Sequence, residues 1–162
     1  MKLIDASTPK YPNTFAMVDD EDFERLNQYR WRPVKGARTL YLARHLPGRG
    51  APSILMHFDL VDAPDGMERD HKDRNGLNNQ KNNLRICTRS QNACNRRKQT
   101  NGVTSKFIGV AFHARTGKYQ ANIQVNGKPK YLGLFKTQEE AATVRNKAAQ
   151  DLHGEFVSLN RI

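Results

Sequence analysis

The stretch Asp70–Asn92, DHKDRNGLNNQKNNLRICTRSQN, determines how the rest of the chain is interpreted. It begins with an acid beside a histidine and passes through a polar loop whose Asn and Gly content disfavours helix or strand interiors. Residues 83–87 then alternate polar and apolar, which is typical of a half-buried strand. A Thr or Ser can cap a helix that follows. The order of elements predicts a compact unit that brings Asp70, His71 and Asn92 around one metal ion.

The chemistry of these three side chains suits hydrolysis of a phosphodiester. A hard cation such as Mg²⁺ prefers oxygen ligands and keeps several waters, so one carboxylate and one amide suffice when a phosphate supplies the rest. A neutral imidazole can remove a proton from water near neutral pH. Because an Asp-His pair in a loop is often purely structural, the spacing alone leaves both interpretations open.

The same stretch resembles the HNH, or ββα-metal, endonucleases, in particular the homing-type branch found in phages and introns. The resemblance implies that His71 is the general base and that Asn83 is the second catalytic position, which braces the loop without touching substrate. It also implies that Asp70 and Asn92 bind the metal, with Mg²⁺ expected and Mn²⁺ possible. Gln80 departs from the family pattern, which usually has Arg there.

The net charge of +11 over 162 residues favours a polyanionic partner. We therefore expect double-stranded DNA as the partner, no membrane, and no obligate protein partner. Cys87 and Cys94 form no C-x-x-C pair, which favours reduced thiols and a cytoplasmic location in a bacterium or infected host. A zinc site formed by these cysteines and a histidine is the alternative.

Residues 1–56 are expected to form a small mixed α/β segment with a strand at 15–18, a helix near 20–28 and a hairpin. Trp31 and Tyr41 are interpreted as core residues, with base stacking as the alternative. Residues 54–61 are predicted to be a helix, in which His57 is a packed core histidine and not a ligand.

The chain is strongly basic around the end of the Asp-His-Asn stretch. Between Leu77 and Asn101 there are six cations and no acid, and we interpret them as phosphate contacts. The predicted DNA-binding cations here are Arg85, Arg89, Arg96, Arg97 and Lys98, with Arg89 closest to the scissile phosphate. Residues 99–105 read as a linker.

Residues 106–162 predict a three-stranded antiparallel sheet packed on one helix. Thr137 and Glu140 form a capping box, and Ala141, Val144, Ala148 and Leu152 are expected on the buried helix face. Alternation in the second strand leaves amides on the open face of the sheet, where they can read base edges between flanking cations. The predicted DNA contacts are His113, Arg115, Lys118, Gln120, Asn122, Gln124, Lys128, Lys130 and Tyr131.

This segment resembles the plant ethylene-response-factor, or apetala-type, DNA-binding domain. The resemblance rests on the following stretches: Ile108–Val110, Gly117–Ala121, Tyr131–Phe135, Thr137–Ala142, Ala148–Ala149 and Gly154–Asn160. The family's DNA-reading arginines correspond here to other residues, so the resemblance implies the fold and DNA binding but not the plant base preference.

The sequence thus predicts an α+β protein with an N-terminal segment (1–56), an HNH nuclease unit (57–98), a linker (99–105) and a DNA-binding domain (106–162). The expected function is a metal-dependent DNA endonuclease encoded by a phage or mobile element. A DNA-binding regulator without catalysis and an RNA-binding accessory protein are the alternatives.

Overall fold

The computed structural model describes residues 1–37, 39–95, 104–125 and 127–162, which fall into two compact units, Met1–Thr88 and Arg89–Ile162. Both units combine short helices with antiparallel sheets, so the predicted α+β class is confirmed. In the described residues, no helix is long and apolar enough to cross a bilayer.

Unit 1 contains seven strands and two helices in its described residues. Their bounds are β1 Lys2–Asp5, β2 Phe15–Val18, α1 Asp20–Asn27, β3 Arg32–Lys35, β4 Leu40–His45, β5 Ser53–Leu55, α2 Met56–Leu60, β6 Glu68–His71 and β7 Leu84–Cys87. The strands pair as β1-β2, β3-β4-β5 and β6-β7.

One core joins the first 56 residues of unit 1 to the loop that follows β6. Val18, Leu26, Trp31 and Met56 are buried together, and Leu77 from that loop packs against them. The core interpretation of Trp31 is confirmed, since its indole nitrogen donates to the Leu26 carbonyl at 2.9 Å. The predicted boundary after residue 56 does not coincide with a division between compact units, because these segments bury their apolar side chains against one another.

The predicted helix over residues 54–61 is only partly correct. Ser53–Leu55 form β5, which pairs with β4, and the helix begins at Met56. The first part of this apolar run is a strand because it pairs with β4 at the edge of a sheet. In so short a run, periodicity does not distinguish a strand from a helix.

Unit 2 contains α3 Arg89–Cys94, β8 Val110–His113, β9 Lys118–Val125, β10 Lys128–Phe135, α4 Gln138–His153 and a 3₁₀ turn at Gly154–Phe156. The strands form an antiparallel sheet in the order β10-β9-β8. Helix α4 packs on this sheet, as predicted, and its capping box between Thr137 and Glu140 is present.

The buried face of α4 differs from the predicted one. Ala141, Ala142, Arg145 and Ala149 are buried, whereas Leu152 is 43% exposed. Of the predicted positions, Ala141 is buried and Val144 and Ala148 are half-buried, so the face that lies against the sheet is rotated toward Ala142, Arg145 and Ala149. Arg145 is buried because its guanidinium donates to the Ser158 carbonyl at 2.6 Å.

Candidate active site

The antiparallel pair β6-β7 places the Asp-His dipeptide at the end of a short strand. Asp70 lies opposite Arg85 and His71 opposite Leu84. Asp70 is 8% exposed and His71 is 5% exposed. Both side chains are therefore held inside unit 1, where the strand end meets the polar loop of residues 72–83.

Asn83 connects the two ends of this loop through the hydrogen bonds of its side chain. Its side-chain oxygen accepts from the Asp73 backbone nitrogen at 3.0 Å, and its amide nitrogen donates to Asp73 Oδ1 at 3.0 Å and to the Asn78 carbonyl at 2.8 Å. Asn78 in turn donates to Asp73 Oδ2 at 2.8 Å. These bonds hold the two ends of the loop together, whereas the catalytic importance assigned to Asn83 stays a prediction.

His71 lies in an aromatic pocket. The ring of His57 is 4.9 Å from it in an edge-on arrangement, and the ring of Tyr41 is 5.8 Å away. Burial lowers the pKa of His71, although Asn79, Asp73 and Asp70 act in the opposite direction. Burial, together with repulsion from His71 and Arg69, lowers the pKa of His57 to about 3. Both imidazoles are therefore neutral at physiological pH, which is the form a general base requires.

His57 is 5% exposed and packs against both Tyr41 and Phe58. The prediction of a packed core histidine is confirmed in its burial. Tyr41 is half-buried and lies against the two histidines, outside the hydrophobic core cluster of unit 1, so its core interpretation is only partly correct.

Asp70 is held by Arg85 from the neighbouring strand. The Nε and one terminal nitrogen of Arg85 donate to Asp70 Oδ2 at 2.9 and 2.6 Å, and both side chains are 9% exposed. This buried ion pair fixes the side chain of Asp70 against β7. Arg85 was predicted to contact DNA, and such a contact requires its guanidinium to share or leave this carboxylate.

The N-terminal segment supports the loop through contacts that the sequence did not reveal. Met17 donates its backbone N–H to the Leu77 carbonyl at 2.9 Å and accepts from the Asn79 backbone N–H at 2.8 Å. Asp19 accepts from Gln80 Nε2 at 3.1 Å and from the Lys81 backbone N–H at 2.8 Å. Asp19, which immediately precedes α1, is thus a second support of the loop.

The β3-β4 hairpin closes over the loop from another side. Thr39 Oγ1 accepts from the Gly76 backbone N–H at 3.1 Å. A side-chain carbon at Gly76 would approach the Leu40 carbonyl oxygen and the Tyr41 ring closely, so a larger residue would not fit there. No single-residue motif signals this docking, because it depends on contacts between segments about 35 residues apart.

The remaining predicted residues of the nuclease stretch belong to unit 2 or lie outside the described residues. Asn92 and Arg89 are on α3, with Arg89 exposed and Asn92 half-buried. Arg96, Arg97 and Lys98 lie outside the described residues. Metal binding by Asn92 and DNA contact by these cations therefore stay predictions.

The residues of the Asp-His-Asn stretch suit a hard divalent cation by their donor chemistry. They offer one carboxylate and amide oxygens, which are the ligands that Mg²⁺ prefers. In the described parts of the chain, no three His, Cys, Asp or Glu side chains cluster in a way that would hold an ion.

The two cysteines, which were the alternative candidates for a zinc site, lie in different surroundings. Cys87 is buried, and the Cys94 thiol donates to the Ser90 carbonyl at 3.3 Å.

A candidate nucleic-acid face lies on the open side of the sheet in unit 2. The register places Ala111 beside Gln120, His113 beside Lys118, and Tyr131 beside Asn122. Cross-strand partners point to the same face of a sheet. The open face therefore presents a row of amides with Lys118 at one end.

Individual side chains on this open face differ in their exposure. Tyr131 is 56% exposed. Gln120 Nε2 donates to Asn122 Oδ1 at 3.1 Å, and Gln124 is exposed. Arg115, in the turn between β8 and β9, is also exposed. Base contacts and phosphate contacts by these residues stay predictions.

The register places two of the predicted DNA-binding lysines on the other face of the sheet, and phosphate contact by them stays a prediction. Lys128 lies opposite Val125 and Lys130 opposite Ile123, so both point toward the side of the sheet that α4 covers. They are exposed because β10 is the edge strand. A bulge between Tyr131 and Gly133 follows, and it keeps Leu132 against the core.

Comparison with known families matches the stretch that contains Asp70 and His71. A family model described as HNH endonuclease matches residues 62–94. Residues 62–94 are thus similar to the HNH endonucleases over about a fifth of the chain. An uncharacterized HNH endonuclease of Acanthamoeba polyphaga mimivirus is 28% identical over 151 residues, which cover 92% of this chain and 76% of that protein. The predicted nuclease class is confirmed by these two findings, which support an enzyme that acts on DNA.

A second similarity concerns the C-terminal part of the chain. An AP2-like ethylene-responsive transcription factor of Arabidopsis thaliana is 37% identical over 57 residues, which cover 35% of this chain and 12% of that protein. The match is thus confined to about a third of this chain, and it agrees with the predicted family of residues 106–162. No solved structure matches the chain.

Proposed function

We propose that the protein is a divalent-metal-dependent DNA endonuclease of the homing type, encoded by a phage or mobile element. The observation that carries the proposal is the buried pair of neighbouring residues Asp70 and His71 at the end of β6, inside the stretch that an HNH endonuclease family model matches. The similarity to a viral HNH endonuclease supports it. Mg²⁺ is the expected cation and Mn²⁺ a substitute.

In this proposal His71 accepts a proton from the attacking water. Asp70 and Asn92 hold the cation, while Asn83 keeps the loop in shape. When bound, the cation stabilises negative charge on the phosphoryl oxygens and on the leaving 3′-oxygen. The products are a 5′-phosphate and a 3′-hydroxyl.

The sheet of unit 2 supplies DNA binding in the same proposal. The amides of Gln120, Asn122 and Gln124 share one open face with Lys118, a combination that suits base edges flanked by phosphates. The partial match to a plant transcription factor supports this role.

Plasmid nicking tests the catalytic part. Wild-type protein should convert supercoiled DNA to nicked or linear DNA only with a divalent cation present. His71→Ala should abolish cleavage and leave duplex affinity nearly unchanged, whereas His45→Ala, which alters an exposed histidine, should cleave normally. Cleavage by pure His71→Ala protein at the wild-type rate would refute His71 as the base.

The buried Arg85–Asp70 ion pair is the observation that favours a non-catalytic DNA-binding regulator. In that alternative Arg85 permanently occupies the carboxylate that a metal would need. Absence of cation-dependent nicking, combined with tight duplex binding, would favour the regulator over the nuclease.

A further inference from the structure

Asn79 is the most deeply buried polar side chain near His71. It is 1% exposed and ranks among the largest fully buried side chains of the described residues. Burying an amide costs free energy unless its donors and acceptor are hydrogen-bonded. Its partners therefore indicate why an amide is present at this buried position.

The partners of Asn79 determine how its amide is oriented. Its Nδ2 faces the Gly76 carbonyl oxygen at 3.4 Å, and only the nitrogen end of an amide can donate to a carbonyl. The Oδ1 end is consequently directed at His71 Nε2, 3.3 Å away. The bond from the Asn79 backbone N–H to the Met17 carbonyl, at 2.8 Å, holds the whole residue in place.

The His71 ring has little freedom to turn away from Asn79. His57 lies edge-on against it with ring centroids 4.9 Å apart, and Tyr41 borders it at 5.8 Å. Tyr41 is itself confined, since the hairpin backbone at Gly36 and the loop backbone at Gly76 both approach its ring. The imidazole is thus enclosed by groups that fix its orientation.

We propose that Asn79 is a positioning residue that holds His71 as the tautomer with its proton on Nε2. An amide oxygen can only accept, so it favours an N–H at the nitrogen it faces. A neutral imidazole has one protonated nitrogen, and the lone pair that takes the proton from water is therefore on Nδ1. The inference rests on the proposed nuclease function, because it names the proton-accepting atom of that same site.

Nitrogen-15 NMR of the full-length, metal-free chain tests the tautomer directly. Two-bond proton–nitrogen correlations report which ring nitrogen carries the proton, and His71→Gln identifies the signals of His71 among the five histidines. Wild-type His71 is expected to be protonated at Nε2. A proton on Nδ1 overturns the proposal.

Two substitutions of Asn79 separate positioning from simple support of the fold. Asn79→Asp keeps an acceptor opposite Nε2, so Nε2 should stay protonated, but the added charge favours the imidazolium. Its cleavage rate should therefore recover toward the wild-type value as the pH rises. Asn79→Leu should give a mixture of tautomers and lower kcat about 100-fold with little change in KM, the loss expected for a misplaced general base. Asn82→Leu, at an exposed asparagine of the same loop, should change neither property.

These outcomes test the positioning role of Asn79 and the proposed nuclease function separately. Losses of kcat that are equal in Asn79→Asp and Asn79→Leu at every pH, or an unchanged tautomer in folded Asn79→Leu, overturn the positioning role. If the leucine variant does not fold, the wild-type tautomer and the aspartate variant decide the question. An Nε2-protonated wild type that never cleaves DNA supports the role of Asn79 in fixing the tautomer and refutes the nuclease function.

Discussion

Replacing Asn83 by alanine should destabilise unit 1 measurably. The side chain is buried and makes three hydrogen bonds, one of them to the charged Asp73 and one to the backbone carbonyl of Asn78. A buried hydrogen bond contributes about 1 kcal/mol, and one to a charged partner about twice that. Asn83→Ala should therefore lower the free energy of unfolding by about 3–4 kcal/mol.

Urea denaturation followed by tryptophan fluorescence measures this change, because the chain has one tryptophan, Trp31, and it lies in the core of unit 1. The matched control is Asn82→Ala, an exposed neighbour whose substitution should change stability by less than about 0.5 kcal/mol. Cleavage by Asn83→Ala should fall even at low temperature, where the variant is folded, because the loop that carries His71 loses its fastening.

A free energy of unfolding for Asn83→Ala within about 0.5 kcal/mol of wild type would refute the assignment of Asn83 as a brace. A variant as stable as wild type but unable to cleave would instead place this amide in direct contact with substrate. The two results are distinguishable because stability and cleavage are measured separately.

Three further outcomes are expected. Because burial holds the pKa of His57 near 3 while an unfolded histidine titrates near 6.5, stability should be complete above pH 6.5 and fall as the pH drops toward 3, by about 2 kcal/mol at pH 5; thermal melts at several pH values check this, and His57→Phe should flatten the dependence. Gln80→Arg should raise stability by about 0.5–1 kcal/mol by forming an ion pair with Asp19, and the gain should vanish in an Asp19→Asn background. Gln124→Ala should alter the cleavage-site profile while leaving the salt dependence of DNA binding unchanged, and an identical site profile would count against base reading by the sheet.

Much of the architecture was predictable because local signals were strong. The alternation of Lys118–Val125 predicted β9 with its observed bounds, and the pattern from Thr137 to Glu140 predicted the start of α4. Turn residues and capping residues act over a few positions, so a sequence displays them directly. The burial of His57 followed in the same way from its apolar neighbours.

The supports of the active site could not be predicted from any local pattern. Asp19 and Met17 hold the loop through partners about 60 residues away. The sequence of residues 19–22, DDED, does not show whether the first carboxylate faces solvent or accepts a hydrogen bond from a distant backbone N–H. Likewise, Asp70 pairs with Arg85 because of the register of β6 and β7. The sequence of two such short strands does not distinguish this register from neighbouring ones.

The bonds between Met17 and the catalytic loop limit how this nuclease could be re-engineered. A fragment cut at residue 57 would lose Asp19, Tyr41 and the strand that carries Met17, leaving the Asp-His loop without its walls. Moving the proposed cleavage site onto another DNA-binding domain therefore requires the whole of Met1–Thr88 together with α3. The family model covers residues 62–94, whereas the segment required for such a transfer is nearly three times as long.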